Sequence, residues 1–195
     1  MFFFIVLFLV LPSLLSFYLS DKPLERTIER KIGESMRGTL SLAKLDIENT
    51  VNEMITASTL IVLDPAIIRA MTHADTISKY EKFSAVSTMF KKIISISRHQ
   101  FEYRLVLINS SSQEYYASSR ISRQELNWIF DSEWYRQSLT RPYDFTWVHY
   151  RDEESKEGII TLARAVVNPS TNTPVGIVLV SVPFGDLTGI VKKMN

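Results

Sequence analysis

Residues 104–109 read RLVLIN, and here the sequence changes from a helical to an extended pattern. The turn-forming run 110–112 follows, and residues 114–117 are predicted to return as the partner strand of a hairpin. Later segments of the same character predict three further strands, at 144–150, 159–167 and 175–183. The expected architecture is α+β: an antiparallel sheet of about five strands with flanking helices, which we place on one face of the sheet.

The residues before this hairpin predict three helices. Apolar residues recur at intervals of three or four over 24–63, which indicates one long helix. Asp64 and Pro65 then predict a new helix start, because Asp caps free backbone amides and Pro suits the first helical position. Residues 66–72 form the short helix that follows, and residues 77–97 repeat the helical pattern.

Two segments among the strands are also non-extended. Residues 122–136 are predicted to be irregular or helical, and residues 184–194 form a last amphipathic stretch. The predicted domain division is an anchor, a stalk helix with a helical segment, and a sheet module, at 1–21, 22–100 and 101–195.

The first segment of the chain predicts a membrane anchor. Residues 2–19 carry no charge and would span about 27 Å as a helix. A cleaved signal peptide and a buried core helix are the alternatives. However, residues 16–20 match a cleavage site poorly, and the segment has no polar face. Basic residues follow the segment and none precedes it, so the positive-inside rule alone would place the rest in the cytoplasm.

Composition excludes several classes of function. The chain has no cysteine, which excludes disulfides and cysteine-ligated zinc, and its net charge of +1 comes from interleaved acids and bases. Histidines 73, 99 and 149 lack the spacing of a zinc site, and the sequence has no nucleophile elbow or Walker loop. We therefore predict no catalytic residue, metal or cofactor, no nucleic-acid partner, and a chain that is not an enzyme.

The order of these elements resembles a known family. The resemblance rests on three features: the apolar segment that leads into the long helix, the pair Trp134-Tyr135 in the insert, and the last strand 176–182, after which the sequence Phe-Gly-Asp-Leu begins a helix. Together they resemble the extracytoplasmic double-Cache (PAS-like) sensor domains of bacterial membrane sensor histidine kinases. The resemblance implies a single-pass protein of the cell membrane with its folded domain outside, and truncation after the distal module. A homodimer is expected because the long apolar stripe over 24–63 can pair with its copy.

The resemblance also implies a small-molecule site between the sheet and the insert. Its expected lining is Trp134, Tyr135, Trp147, Tyr116 and Arg120, although such rings can equally be core packing. The function implied is a sensory domain of a two-component type receptor that binds a small ligand and signals through the membrane helix. The alternatives are a membrane-tethered protein-interaction module and a non-functional receptor fragment.

The ligand class is narrowed by two departures from the family pattern. Amino-acid-binding members are expected to carry an Arg two residues before the Trp and an Asp in the last strand. Ser132 and Ser181 stand at those places. An amino-acid ligand is therefore put in doubt, and a sugar, an uncharged metabolite or no ligand is favoured.

Overall fold

The fold is taken from a computed structural model. It describes the backbone of residues 2–72, 76–96, 103–111, 114–151 and 156–185, and the side chains among these from residue 29 onward, except that of residue 96. The chain divides into two compact units, one of residues up to Leu45 and one that begins at Asp46. The apolar side chains of the predicted anchor, and most of the predicted last helix, lie outside the described residues.

Five helices and five strands make up the described part of the chain. In order, they are α1 (Phe2–Val62), α2 (Pro65–Thr72), α3 (Lys79–Ile96), β1 (Arg104–Asn109), β2 (Tyr115–Ala117), α4 (Arg123–Asp131), α5 (Glu133–Thr140), β3 (Thr146–Arg151), β4 (Gly158–Asn168) and β5 (Thr173–Pro183). The α+β class and the predicted strands are confirmed: β1 has the predicted bounds, and the ends of the other strands differ from prediction by at most two residues.

The five strands form one antiparallel sheet in the order β2-β1-β5-β4-β3. The central strand β5 pairs with β1 on one side and with β4 on the other. Gly176 of β5 lies so close to β1 that a β-carbon there would be 2.5 Å from the backbone oxygen of Ile108. The two edge strands are short, as is common at sheet edges: β2 has three residues and β3 has six.

Helices cover both faces of the sheet, and the expectation of one covered face is wrong. Leu105 and Leu107 belong to a core cluster with side chains of α1, α2 and α3. Val106 and Ile108, which alternate with them, belong to a second cluster with side chains of α4 and α5. Strands β1, β4 and β5 therefore read as nearly continuous apolar runs because both faces are buried. We call the two sides the stalk face (α1–α3) and the insert face (α4–α5).

Helix α1 is longer than predicted, since it runs without interruption through Pro23. The apolar stripe predicted along it divides by exposure: Ile32, Met36 and Leu40 are 50%, 63% and 68% exposed, whereas Met54 and Ile61 are buried in the stalk-face core. No single helix, among residues with described side chains, is apolar and long enough to cross a membrane. The pair Glu29–Val62 and Pro65–Thr72, bent by 59°, passes on length and composition alone.

The predicted start of α2 is confirmed in detail. One carboxylate oxygen of Asp64 accepts hydrogen bonds from the amides of Ala66 and Ile67, at 2.8 and 3.2 Å. These are amides that the helix itself cannot satisfy, so the cap stabilises α2 by about 1 kcal/mol.

The insert contains two helices where the sequence left irregular structure open. Ser132 separates them, because its extended backbone ends α4 and its hydroxyl accepts from the amide of Tyr135 to cap α5. The break turns α5 so that Tyr135 and Ser138 are buried.

Candidate functional site

A polar network on the insert face joins α4 to two strands of the sheet. Arg104, the first residue of β1, donates through Nη2 to Oε2 of Glu125 at 2.5 Å. The hydroxyl of Tyr150 on β3 donates to Oε1 of the same carboxylate at 2.7 Å. The side chains of Arg104 and Glu125 are only 15% and 11% exposed. Glu125 therefore links β1 and β3, which lie on opposite sides of β5 and β4.

Two hydroxyls continue this network across the central strands. Thr161 of β4 and Ser181 of β5 are cross-strand partners, buried, and joined by a hydrogen bond of 2.8 Å. Ser181 is also the partner of Arg104 in the β1–β5 register, so these side chains share the insert face. Burial, together with the negative charge of Glu125, raises the pKa of Tyr150 well above its ordinary value. The phenol is therefore a neutral donor at physiological pH.

Aromatic rings cover one side of the network. The ring centroid of Trp128 is 4.8 Å from that of Tyr150 and 5.9 Å from that of Trp134. Trp134 in turn contacts Tyr135 edge-on at 6.3 Å. Trp128 is 41% exposed, whereas Tyr135 is buried in the insert-face core. The cluster thus runs from the core to the surface, and Trp128 forms its accessible side.

Two donors in this region have no acceptor. Nε of Arg104 and Nε1 of Trp134 are buried and lack a hydrogen-bond partner among the described residues. Buried donors are nearly always paired in folded proteins, and an unpaired one costs about 1–3 kcal/mol. Both belong to side chains of the network or of its aromatic cover, so this is the region with capacity for a further hydrogen-bonding partner.

The five residues predicted from the sequence do not lie together. Trp134 and Tyr135 are on the insert face. Tyr116 packs against the stalk-face core, and Trp147 pairs with Leu162, which belongs to that same core. These two side chains are therefore separated from the tryptophan–tyrosine pair by the thickness of the sheet.

Arg120, the fifth predicted residue, is exposed and follows β2. Its contribution to the network comes from the backbone, because its carbonyl oxygen accepts from Nη2 of Arg104 at 3.2 Å.

The central members of the network were missed in the sequence. A signal for Arg104 did exist: it is a charged residue at the start of a strand, and the next four residues are all apolar. Strand alternation places it on the face of Val106 and Ile108. Glu125 and Tyr150 are 21 and 25 positions from their partners in sequence, and no local pattern pairs them.

The two serines at the places of the expected amino-acid contacts have structural roles. Ser132 caps α5, and its own hydroxyl donates to the carbonyl of Ile129 at 2.6 Å. Ser181 is held by Thr161 on the sheet. Neither serine carries a charge, and the exclusion of an amino-acid ligand stays a prediction.

A separate groove of about 340 Å³ lies between α2 and α3, and its charged lining residues are Arg69 and Glu81. Glu81 is committed to the start of α3, since its carboxylate accepts from the amide and the hydroxyl of Ser78. Within the part of the chain that the structure describes, no group of three His, Cys, Asp or Glu side chains is placed to hold a metal ion.

Known proteins resemble this chain in structure. The sensory domain of the Campylobacter jejuni chemoreceptor Tlp3 (CcmL) with isoleucine bound matches with a TM-score of 0.58 and 18% identity, over 89% of this chain and 68% of that one. The ligand-binding domain of the Pseudomonas aeruginosa amino acid chemoreceptor PctC, in complex with GABA, gives 0.55 and 13%, over 85% and 68%. The sensor domain of the V. cholerae histidine kinase DctB gives 0.53 and 12%, over 80% and 58%.

The chain has a Cache-type sensor fold. No protein-family model and no curated protein sequence matches it. The Cache fold is therefore recognised from the arrangement of the sheet and its two helical layers, which confirms the resemblance drawn from the order of elements. These three solved chains are sensory, ligand-binding or sensor domains.

Proposed function

We propose that this chain is the extracytoplasmic sensory domain of a bacterial signal-transduction receptor of the two-component type. It binds a small ligand on the insert face and signals through α1 and the membrane segment that opens it. The observation that carries the proposal is the buried network of Arg104, Glu125 and Tyr150 with its aromatic cover, in which Nε of Arg104 and Nε1 of Trp134 have no acceptor among the described residues. Buried polar groups beneath an aromatic wall are the usual composition of a small-molecule site.

The signalling route follows from contacts on the two faces of β4. Ala163 belongs to the insert-face core, which contains Tyr135. Arg164, the next residue, donates through Nη1 to the hydroxyl of Thr59 on α1 at 2.7 Å. A ligand that binds more tightly when β4 is in one of two placements would shift this hydrogen bond to α1. Coupling free energies between two such sites are typically about 1–3 kcal/mol.

Binding is tested by thermal unfolding of the whole chain in detergent against sugars, amino acids, amines, organic acids and nucleobases. A ligand at 100 times its Kd stabilises the native state by about 2.7 kcal/mol, which corresponds to a rise in Tm of about 5–10 °C. Trp134→Ala should abolish the rise, and Trp147→Ala, on the stalk face, should leave it intact. If Trp134→Ala fails to fold, Tyr150→Phe replaces it. A rise that survives both insert-face changes would exclude this site.

The membrane and dimer parts of the proposal rest on α1. Ile32, Met36 and Leu40 are exposed at intervals of four residues, so they form one apolar line along the helix. A second copy of α1 is the proposed occupant of this line. Because the chain has no cysteine, Leu40→Cys should form a disulfide-linked dimer on oxidation. Ser41→Cys, about 100° further round the helix and off the line of Ile32, Met36 and Leu40, should cross-link less. Equal cross-linking of both variants would argue against an ordered pair.

A second candidate function is a membrane-tethered protein-interaction module. The observation that favours it is the edge strand β3, on which Trp147 is 43% exposed next to the exposed Phe145. Under this alternative, a partner protein co-purifies with the wild-type chain and is lost from Trp147→Ala, while no small molecule changes the Tm. Trp147→Ala therefore separates the two functions.

A further inference from the structure

The charges of the insert-face network are already balanced within the protein. Arg104 is paired with Oε2 of Glu125, and the other oxygen of that carboxylate accepts from Tyr150. An α-amino acid brings an ammonium and a carboxylate, and each requires a counter-charge when it is buried. Neither Arg104 nor Glu125 can serve without leaving its own partner unpaired. An uncharged ligand leaves the pair intact.

The buried polar groups of the site that lack a hydrogen-bond partner among the described residues are both donors. Nε of Arg104 and Nε1 of Trp134 are buried without acceptors. Both oxygens of Glu125 accept hydrogen bonds, and the hydroxyls of Thr161 and Ser181 are bonded to each other. A ligand that supplies acceptor atoms, such as the oxygens of hydroxyl or carbonyl groups, would complement these two donors.

The accessible side of the site is an aromatic ring. Trp128 is 41% exposed although its ring lies 4.8 Å from Tyr150. A sugar ring can place its apolar C–H face against such a ring while its hydroxyls point to polar neighbours. This combination of aromatic contact and a few directed hydrogen bonds is typical of small-molecule sites.

We propose that the insert-face site takes an uncharged, oxygen-rich small molecule of the monosaccharide type, whose oxygens accept hydrogen bonds from Arg104 Nε and Trp134 Nε1. The inference rests on the ligand-binding function proposed above and specifies its ligand class. It also assigns Glu125 a role in specificity, because this carboxylate holds the only cation of the network away from anionic ligands.

The test uses sugars that differ in one substituent and its charge, together with two amino acids. D-glucose, D-glucuronate and D-glucosamine form one matched set, the three corresponding galactose compounds form a second, and L-isoleucine and GABA represent amino acids. The whole chain is titrated with each compound, and Tm and Kd are measured. The expected result is that a neutral sugar binds and that its charged counterparts bind at least about tenfold more weakly, since a charged group would have to disrupt the buried pair.

Two conservative variants locate the binding. Trp134→Phe keeps an aromatic ring but removes the Nε1 donor, and should weaken binding of the neutral sugar about five- to tenfold. Trp147→Phe makes the same chemical change on the stalk face and should leave Kd unchanged. A circular-dichroism spectrum and Tm without ligand establish that both variants are folded.

The outcomes separate the ligand class from the function. If an amino acid or a charged sugar binds in a manner that depends on Trp134 and the neutral sugars do not, the inferred class is overturned while the sensory function stands. Neutral-sugar binding that is equally sensitive to both variants, or to neither, overturns the assignment to this site. If no compound of any class binds, both the class and the binding function fail.

Discussion

Loss of the Arg104–Glu125 pair is expected to destabilise the sheet module strongly. Both side chains are more than four-fifths buried and their atoms approach to 2.5 Å. Removal of one partner from a buried ion pair typically costs about 3–5 kcal/mol, because the other charge is left uncompensated. Glu125→Gln keeps the shape of the side chain and should therefore lower the free energy of unfolding by about 3 kcal/mol.

The expected loss corresponds to a fall in Tm of about 6–12 °C for a unit of this size. Replacement of both partners, as Arg104→Met with Glu125→Leu, should recover much of the loss, since no charge is then buried alone. Urea denaturation of the wild type, of Arg104→Met, of Glu125→Leu and of the double variant gives the coupling energy between the two side chains. The matched control is Glu34→Gln, which breaks the exposed pair with Arg30 (side chains 73% and 68% exposed) and should change stability by less than about 0.5 kcal/mol.

The reasoning is refuted if Glu125→Gln costs no more than Glu34→Gln. That result would mean that water screens the Arg104–Glu125 pair as effectively as a surface pair. The balance of charge at the insert face would then no longer argue against an anionic ligand.

Three further predictions concern stability. Asp64→Ala removes the cap of α2 and should lower the free energy of unfolding, measured by urea denaturation, by about 1 kcal/mol. An unchanged free energy would contradict the role of Asp64 as a cap. Gly176→Ala brings a β-carbon against the backbone oxygen of Ile108 and should lower the free energy of unfolding by about 1–3 kcal/mol. An unchanged Tm would show that β1 and β5 can move apart at this point without loss of stability. Burial and Glu125 raise the pKa of Tyr150 above 10.0, so the stability that the neutral phenol contributes is present below pH 10 and is lost as the pH rises towards the pKa of the folded state. Tyr150→Phe should therefore make the loss of stability at alkaline pH less steep. A pH profile identical to that of the wild type would contradict this.

The sequence was sufficient for elements whose signals are local. The start of α2 follows from Asp64 and Pro65, because a cap and its amides are neighbours in the chain. The strand around Leu107 follows from a short apolar run between turn residues. In both cases the interacting groups lie within a few positions of one another, and the pattern records them directly.

The parts that were missed depend on how distant segments align. Burial of both faces of β1 makes its residues equally apolar, so periodicity does not show that α4 and α5 cover the second face. The break at Ser132 requires knowledge that its hydroxyl caps α5. The predicted site joined Tyr116 and Trp147 to Trp134, although strand register assigns them to opposite sides of the sheet. Whether these residues bind a ligand stays a prediction.

Strand β4 has a mechanical consequence for any receptor built on this chain. Ala163 and Arg164 are joined by one planar peptide unit, which has no soft torsion of its own. A displacement of the backbone at Ala163 therefore reaches Arg164 across one rigid unit, and a single hydrogen bond joins the side chain of Arg164 to Thr59. The insert-face core and the contact with α1 are therefore only one residue apart along β4.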